Sequence, residues 1–460
     1  MKVPLLVIGG GLSGLAAAVR AARFVPEVLI IEKHSRLGGL NSYFYRNKTL
    51  YETGLHAITN YAPPGEKSAP LNRLFRQLKL KRKDFSFCQQ QQSEVTFLGC
   101  ESLLFSNDFN LLLEQINSKF PQCIDNFQKL LLFINSINPF LPSPFRSAKR
   151  KINEILGDKL LTDMLLCPLM FYGSSHENDM DMNQFVIMFQ AIYLQGMFRP
   201  LGTIKNFLDH LHRHYHSFGG KLRKNTEAIK LLHKNNTVYG VELKNGEIIE
   251  CEQMVSTIGL DETKKLLSKK VSPAQPRLGF TETIYEIKPE KTCSLPRDKT
   301  IIFYNNSNEF SYKNPDEFVD HSSGVICFPG NFQGIERKEV VEVRATHLAN
   351  YTRWKSIASC RDEYLALKRR TSRKTVTNLE NIVGSFNSNI VYENSFTPVT
   401  IERYTAKIGG AIYGSPVKVK DGDIGFKNLF LAGTDQGFLG IVGSMLSGVS
   451  IVNQHILAKL

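Results

Sequence analysis

The N-terminal part of the chain alternates apolar runs with a glycine-rich break. Residues 3–8 (VPLLVI) form a continuous apolar run, which is typical of a buried strand, and a cluster of three glycines ends it. Residues 15–23 are rich in alanine and predict a helix. Residues 27–31 (EVLII) form a second apolar run, and Glu32 follows it. The pattern therefore predicts a strand, a glycine turn, a helix and a second strand that ends at an acidic residue.

The two long segments in the middle of the chain differ in pattern. Residues 81–199 carry apolar runs such as 130–134 and predict mostly helices. Residues 276–389 alternate strand-like runs with polar turns, which predicts an antiparallel sheet. The strand-like runs are 299–304, 325–328 and 340–343.

One stretch of the first segment, residues 185–198, is apolar on every side. It predicts either the lining of an apolar tunnel or a helix buried in the core. Further along, residues 238–243 and 247–251 flank Lys244-Asn245-Gly246, which is a turn sequence typical of a β-hairpin.

The glycines of the first turn have the spacing Gly9-x-Gly11-x-x-Gly14, with Leu12 and Ser13 between the last two. In a strand–turn–helix unit the first glycine permits the tight turn, the second lets a diphosphate approach the main chain, and the third lets helix and strand pack closely. The helix N-terminus also offers free N–H groups and the positive end of its dipole. We therefore predict a dinucleotide site here; the alternative is a purely structural turn.

The residues after the second strand indicate which dinucleotide binds. Glu32 stands where an acidic residue accepts hydrogen bonds from ribose hydroxyls, and Lys33 follows it. Arg36-Leu37-Gly38-Gly39 comes next. This R-x-G-G stretch resembles the second fingerprint of the flavin-containing amine oxidase and phytoene desaturase superfamily. The resemblance implies that the dinucleotide is FAD, with Arg36 near its phosphates and Gly38 and Gly39 in the loop around it.

A third stretch, Glu52-Thr53-Gly54-Leu55-His56, looks like the segment of that superfamily that passes close to the flavin. The resemblance therefore adds Gly54, Leu55 and His56 to the cofactor-binding residues. Histidine changes its charge near neutral pH, so His56 is also the candidate catalytic residue, as a proton carrier or a substrate contact. Packing of His56 beside the flavin ring is the alternative.

The C-terminal part carries the remaining cofactor motif. Residues 428–435 predict a buried strand that ends in Gly433-Thr434-Asp435. This looks like the closing flavin motif of the family, in which the acid contacts the ribityl chain.

An apolar, glycine-punctuated run follows and predicts a helix that starts near Gly440, with Ile441 and Val442 in its first turn. The positive end of such a helix would point at the flavin ring and stabilise the negative charge of the reduced flavin.

The resemblance implies an α/β fold, with a Rossmann-like FAD-binding domain of the glutathione reductase and amine oxidase type. A mixed α+β substrate domain is expected to interrupt it. We assign residues 1–80, 200–275 and 390–460 to the FAD-binding domain, and residues 81–199 and 276–389 to the substrate or cap domain. Residues 395–413 are similar to a segment of phytoene desaturases and retinol saturases.

These features predict an FAD-dependent oxidoreductase that transfers a hydride between flavin N5 and an apolar substrate of polyene or isoprenoid type. The chain has a single G-x-G-x-x-G motif, so we expect oxygen or a quinone as the electron acceptor rather than a second bound nucleotide. Two alternatives remain open. One is an amine oxidase or protoporphyrinogen oxidase type of flavoenzyme, and the other is a non-catalytic lipid carrier similar to Rab GDP-dissociation inhibitors.

The formal net charge of +14 raises the question of an anionic partner. Lysine and arginine cluster at 79–83, 146–151 and 368–374, but these clusters lack the interleaved aromatic residues of a single-strand binder, so we expect no nucleic acid. The clusters are either solvated faces or contacts to an anionic membrane surface. Residues 137–145 (INPFLPSPF) lie beside the second cluster and predict either a loop in a membrane interface or a rigid loop over the core.

The remaining motifs constrain the compartment and the metal content. The eight cysteines form no CxxC pair, which indicates free thiols in a reducing, cytoplasmic setting, with peripheral membrane contact as an addition. No uninterrupted apolar stretch of membrane-spanning length is seen, and no cleavable signal peptide. Four histidines between 210 and 216 predict a solvated helix face, and we expect no metal site.

Overall fold

Two seven-stranded sheets organise the fold. The structure is a computed structural model and describes residues 1–141, 143–269, 271, 277–290 and 293–459. The strands are β1 (Lys2–Ile8), β2 (Val28–Ile31), β3 (Tyr43–Arg46), β4 (Thr49–Glu52), β5 (Ile58–Thr59), β6 (Phe87–Gln89), β7 (Gln92–Phe97), β8 (Ser102–Phe105), β9 (Met197–Pro200), β10 (Lys221–Arg223), β11 (Ala228–Lys234), β12 (Thr237–Leu243), β13 (Ile248–Ser256), β14 (Gly279–Ile287), β15 (Lys299–Asn305), β16 (Ser323–Cys327), β17 (Val341–Ala349), β18 (Ile390–Phe396) and β19 (Leu429–Leu431).

Helices cover both sheets. They are α1 (Leu12–Ala22), α2 (Pro70–Leu78), α3 (Phe109–Lys119), α4 (Ile124–Ser136), α5 (Ala148–Leu156), α6 (Lys159–Gly173), α7 (Met182–Phe189), α8 (Ile204–Ser217), α9 (Leu260–Leu266), α10 (Tyr351–Ser356), α11 (Arg361–Val383), α12 (Pro398–Thr405) and α13 (Gly440–Ile451).

The first sheet has the order β10-β2-β1-β13-β12-β11, and β19 pairs with β13. Its parallel strands end in register, because Ile8 lies opposite both Ile31 and Ser256, and Ser256 lies opposite Leu431. The carboxyl ends of these strands therefore meet at one edge of the sheet, where ligands bind in open α/β folds. The glycine loop, Glu32 and the C-terminal glycine motif all follow directly from that edge.

The alanine-rich helix α1 lies under this edge and explains the small side chains of the first motif. Ala16, Ala17 and Ala18 are fully buried. A Cβ atom on Gly448 of α13 would lie 2.2 Å from the backbone oxygen of Ser13, so the two helices approach each other closely. The small residues are required by packing on several sides of α1.

The second sheet has the order β18-β14-β17-β16-β15-β7-β8. The predicted antiparallel sheet of the second insertion is confirmed, since β14 and β17 pair antiparallel, as do β15 and β16. Helices α3 to α7 and one face of this sheet share a large apolar core, so the helical character of the first insertion is also confirmed. Helix α11 packs against the opposite face of the sheet.

The assignment of residues to two domains stays a prediction. Strand β18 pairs with β14 of the second sheet, although the sequence grouped residues 390–396 with the nucleotide-binding part. The boundary between residues 275 and 276 lies outside the described residues.

The apolar stretch 185–198 is divided between two elements. It continues α7 through a π-helical turn at Gln190–Leu194, and its last residues enter strand β9. Phe185, Phe189 and Tyr193 are buried in the core of the helical layer, and Tyr193 donates a hydrogen bond to the backbone oxygen of Leu165. The stretch therefore lies in the hydrophobic core, which is one of the two alternatives that the sequence predicted. Apolarity alone could not locate the change from helix to strand.

The four histidines lie on α8, which begins at a capping box formed by Thr203 and Asn206. His216 is exposed as predicted, but His214 Nε2 lies 2.8 Å from the backbone oxygen of Leu78 and His210 contacts the ring of Phe85. This face of α8 is therefore partly packed rather than fully solvated.

One helical segment of the described chain, Gly440–Lys459, is long and apolar enough to span a membrane, although the sequence suggested no such stretch. Half of it is buried inside the protein, where Val442, Met445 and Val449 join the core under the first sheet. This burial is what the core helix of a globular domain shows.

His321 provides a test of the packing around the second sheet. Its side chain is buried, neither ring nitrogen has a hydrogen-bond partner among the described residues, and its ring lies 5.2 Å from that of His347. Burial, with a smaller effect of Lys374, lowers the pKa of His321 to about 4.

The unfolded state therefore binds a proton that the folded state excludes, so we expect the free energy of unfolding to fall as the pH drops from about 6.5 to 4. Urea unfolding of His321→Gln should show a smaller loss between pH 7 and pH 5 than the parent. His216→Gln, at an exposed position, should behave like the parent. An equal loss in all three proteins would contradict the account.

Candidate functional site

A cavity of about 1070 Å³ opens at the carboxyl edge of the first sheet and extends to the second sheet. Most of the residues that the sequence assigned to the cofactor line it. They are Gly9, Gly11, Leu12, Ser13, Glu32, Lys33, Arg36, Gly38, Gly39, Gly54, His56, Gly433, Gly440 and Ile441. Gly14, Leu55, Asp435 and Val442 are not among the lining residues and lie behind them.

Each glycine of the first turn has a separate structural reason. Gly9 has φ +101°, which favours glycine, and a Cβ atom on Gly14 would lie 2.0 Å from the backbone oxygen of Gly9. At Gly11, by contrast, a Cβ atom would meet nothing within 4 Å. The missing side chain of Gly11 therefore leaves free space in the cavity directly before the first turn of α1.

Glu32 is held by the loop that it faces. Its Oε2 accepts a hydrogen bond of 2.7 Å from the Gly10 N–H, and its Oε1 accepts one of 2.8 Å from the His34 N–H. Each carboxylate oxygen has a second lone pair, which remains for a ribose hydroxyl. The side chain is thus oriented at the cavity wall in the position that the sequence predicted.

The R-x-G-G loop lies against the glycine turn. The Gly38 N–H donates to the backbone oxygen of Gly10 at 2.9 Å, and Gly38 and Gly39 both have positive φ. The Arg36 guanidinium lies over the ring of Tyr43 and reaches the Tyr43 backbone oxygen at 3.4 Å. It has no carboxylate partner among the described residues, so its charge is available to an anion in the cavity.

Asp435 faces the protein rather than the cavity. Its oxygens accept hydrogen bonds from the Leu260 N–H at 2.6 Å and the Ser415 N–H at 2.7 Å. Burial opposes ionisation of this carboxyl group, but the charges of Lys407 and Lys418 and the two N–H groups hold the pKa below its ordinary value. Asp435 thereby fixes the loop that carries Gly433 and Thr434, which do line the cavity.

Helix α13 begins at Gly440, where φ is +69°. Gly440, Ile441 and Ser444 all line the cavity, so the first turn of the helix faces it. The unpaired N–H groups and the positive dipole end of α13 therefore border the cavity, as those of α1 do.

The chemistry of this lining fits FAD. Open space at Gly11 and the N-terminus of α1 suit the diphosphate, and Glu32 suits the ribose. The buried hydroxyls of Ser13 and Thr434 have no hydrogen-bond partner among the described residues, and both residues border the same cavity. The lining thus offers unused donors beside the space that a dinucleotide would fill.

His56 lies where the cavity reaches the second sheet. Its Nε2 is 3.1 Å from Glu282 Oε2 and 3.4 Å from Thr346 Oγ1. Glu282 is in turn paired with the fully buried Arg344, whose Nη1 lies 3.0 Å from Glu282 Oε1. The imidazole therefore belongs to a network of buried charges.

The rest of this end of the cavity is mostly apolar and aromatic. The lining residues come from α6, β14, β16 and the loop between α12 and β19, and they are Phe171, Tyr172, Phe280, Val325, Ile412 and Tyr413. The sequence did not indicate these residues, nor Glu282 and Thr346, because they reach the cavity only through tertiary folding. All except Ile412 and Tyr413 lie in the two insertions. The polar residues Glu282 and Thr346 inside apolar strands were the one available signal.

Comparison with known proteins agrees with this geometry. A profile described as flavin containing amine oxidoreductase matches residues 12–289. All-trans-retinol 13,14-reductase of Homo sapiens is 23% identical, covering 100% of this chain and 86% of that protein. A 4,4'-diaponeurosporene oxygenase of Staphylococcus aureus is 21% identical, covering 93% of this chain and 90% of that protein. An oxidoreductase structure from Methanosarcina mazei has a TM-score of 0.67 at 16% identity, covering 98% and 100% of the two chains. The predicted fold class is confirmed.

Gly11→Val tests the position of the diphosphate. The Gly11→Val protein is expected to fold normally, because the added Cβ meets nothing within 4 Å. The valine side chain fills the space before α1, however, and should abolish FAD binding. The flavin content per protein and the melting temperature measure the two effects separately. Gly330→Val is the matched control, since its Cβ also meets nothing and the residue does not line the cavity. A Gly11→Val protein with full flavin content would show that the loop is wrongly assigned.

Proposed function

We propose that this chain, which belongs to the flavin-containing amine oxidoreductase family, exchanges a hydride with an apolar polyene or isoprenoid substrate. The resemblance seen in the glycine motifs is confirmed, the protein is an oxidoreductase, and its cofactor is FAD. Hydride exchange, the substrate class and the residues of the site are the proposed part.

One observation supports the proposal most directly. A continuous cavity joins a loop region suited to a dinucleotide to a mostly apolar end, which we call the apolar chamber and which is lined by residues such as Phe171 and Phe280. The chamber also contains the contact between His56 and Glu282. Gly11, Glu32 and Arg36 line the first end, and His56 lies at the second. A cofactor held by the first end is thereby directed toward a substrate in the second.

Bound FAD supplies the redox chemistry, which is acceptance or donation of a hydride at N5. The protein residues hold the reactants and move the proton. Phe171, Phe280 and Val325 present apolar surface to the substrate, and His56 is the group that exchanges a proton with it. The first turn of α13 places positive potential beside the cavity, which favours a reduced, anionic flavin.

The names of the relatives support a polyene-type substrate. The Homo sapiens relative is named for reduction of all-trans-retinol, and the Staphylococcus aureus relative for oxygenation of 4,4'-diaponeurosporene. The apolar chamber of this chain has the chemistry that such molecules require. We propose reaction at a CH–CH or C=C unit, with oxygen or a quinone as electron acceptor when the reaction runs as an oxidation.

Anaerobic spectroscopy of the purified flavoprotein tests this function. We expect a polyene alcohol or a carotenoid to change the flavin spectrum, by reducing the oxidised flavin or by reoxidising flavin reduced with dithionite. Putrescine and protoporphyrinogen serve as comparison compounds and should have no effect. Reduction by putrescine or protoporphyrinogen alone would favour the competing oxidase functions. A colourless protein that still binds isoprenoid lipids would favour the carrier.

We further propose that the loop at 137–145 contacts a membrane surface. Phe140, Leu141 and Phe145 are 61%, 60% and 52% exposed, which is unusual for three large apolar side chains so close together in the chain. Pro142 of this loop lies outside the described residues. The Phe140 ring stacks on Phe438 at 5.9 Å, and Phe438 is two residues before Gly440 of the cavity lining. An apolar surface thus lies near the chamber.

Basic residues flank this surface and favour an anionic bilayer. Lys420 Nζ lies 3.5 Å from the backbone oxygen of Leu141, and α5, which follows the loop, exposes Arg150. Each cation near an anionic bilayer contributes about 1 kcal/mol to binding.

The double variant Phe140→Asp, Leu141→Asp is expected to lose co-sedimentation with phosphatidylserine–phosphatidylcholine vesicles while keeping its flavin. Tyr239→Asp, which changes an exposed aromatic residue on β12, is the control and should sediment like the parent. If the double variant still sediments with the vesicles, the loop is not the contact.

A further inference from the structure

We propose that Glu282 is a positioning residue that fixes the tautomer of His56, so that His56 Nδ1 is the atom that exchanges the proton with the substrate. This inference rests on the proposed function, because it assigns an atomic role within the same chamber. It concerns a residue of the second insertion that no sequence motif indicates.

The contact between the two side chains determines which nitrogen carries hydrogen. Glu282 Oε2 lies 3.1 Å from His56 Nε2, and both side chains are 11% exposed. A carboxylate oxygen at ion-pair distance attracts an N–H group and repels a nitrogen lone pair, so the contact favours the tautomer that carries hydrogen on Nε2. In the neutral ring Nδ1 is then the unprotonated nitrogen, and it has no hydrogen-bond partner among the described residues. His56 lines the cavity, so Nδ1 is the nitrogen left for a ligand.

The register of the second sheet holds Glu282 in place. Glu282 of β14 lies directly opposite Thr346 of β17, so both side chains share the sheet face that borders His56. Arg344, two residues earlier on β17, donates to Glu282 Oε1 at 3.0 Å. A guanidinium is a permanent charge and a donor only, so one carboxylate oxygen stays on Arg344 and the other faces His56.

The main chain of His56 is anchored separately. Arg199 Nη1 donates to the His56 backbone oxygen at 2.7 Å, and Arg199 also pairs with the buried carboxylate of Glu52. The imidazole and its own backbone are therefore each held by a buried ion pair. These contacts restrict the rotation of the imidazole ring about the side-chain bonds of His56.

Charged and titratable side chains from several elements surround His56. They are Glu52, Tyr172, Arg199, Glu282, Cys327 and Arg344. Burial raises the pKa of Cys327 to about 12 and raises that of Tyr172 well above its ordinary value, so both stay neutral. The carboxylate that faces the imidazole ring at ion-pair distance is that of Glu282.

The proposed step conserves atoms and electrons. Removal of two hydrogens from a CH–CH unit gives one hydride, whose electron pair leaves with it to the cofactor, and one proton, which Nδ1 of His56 accepts. The imidazolium formed is paired with the Glu282 carboxylate through Nε2. In the reverse direction Nδ1 returns the proton to carbon as the hydride is delivered.

Glu282→Gln changes the tautomer without changing the shape. Because Arg344 is a donor only, the glutamine oxygen must stay on Arg344, and the amide NH₂ then faces His56 Nε2. Nε2 becomes an acceptor and the proton moves to Nδ1. Nitrogen-15 NMR of the histidine-labelled holoenzyme, with His56 assigned by its loss in His56→Gln, should show the reversed tautomer. The turnover rate should fall about 10²-fold, with a changed pH profile.

Thr346→Val is the matched control, since it removes the hydroxyl that lies 3.4 Å from Nε2 but keeps the Glu282 carboxylate, and it should leave the tautomer unchanged. If Glu282→Gln does not fold, Glu282→Asp withdraws the carboxylate from Nε2 while keeping its charge beside Arg344, and a mixture of tautomers is expected. A His56 spectrum that is the same in the parent and in the folded Glu282 variant overturns the inference. Absence of flavin in the parent protein overturns the proposed function instead, so the two failures are distinguishable.

Discussion

The proposed binding of FAD depends on one constraint, which is that a diphosphate must be able to reach the backbone N–H groups at the start of α1. That requirement excludes a side chain at Gly11, whereas close packing of α1 against the turn excludes one at Gly14. The same closeness limits α1 to alanines on its buried faces, and α13 to glycine where the two helices cross. The small residues of α1 and α13 thus permit close packing, and Gly11 in addition leaves the space that we propose for a ligand at the helix end.

A second level of order comes from two buried ion pairs beside His56. The Glu52–Arg199 pair holds the main chain beside His56, and the Glu282–Arg344 pair holds its side chain. Breaking such a pair by removing one partner leaves an uncompensated buried charge, which typically costs 3–5 kcal/mol. The chain therefore keeps charged residues in an otherwise apolar chamber at the point where the dinucleotide end of the cavity meets the apolar end.

The dinucleotide end was predictable because its signals are local in sequence. The glycine spacing, the acidic residue after β2 and the glycine at the start of α13 can each be recognised within a few residues of sequence. The partners of His56 were not predictable, since Glu282 and Thr346 belong to strands of the second insertion and meet His56 only after the sheets have packed. Asp435 shows the intermediate case, because its motif located the loop but not the direction of the carboxylate, which faces Leu260 and Ser415. The position within residues 185–198 at which α7 ends could not be predicted for a different reason. A fully buried strand and a fully buried helix have the same apolar composition.

The central claim is that the main chain before α1 holds the diphosphate of FAD and that the cofactor extends from there toward His56. A crystal structure of the protein grown with excess FAD tests it most directly. The account predicts diphosphate density within hydrogen-bond distance of the Leu12 and Ser13 N–H groups, with the flavin ring between the first turn of α13 and His56. Density for the cofactor elsewhere, or protein side chains filling the space beside Gly11, would contradict it.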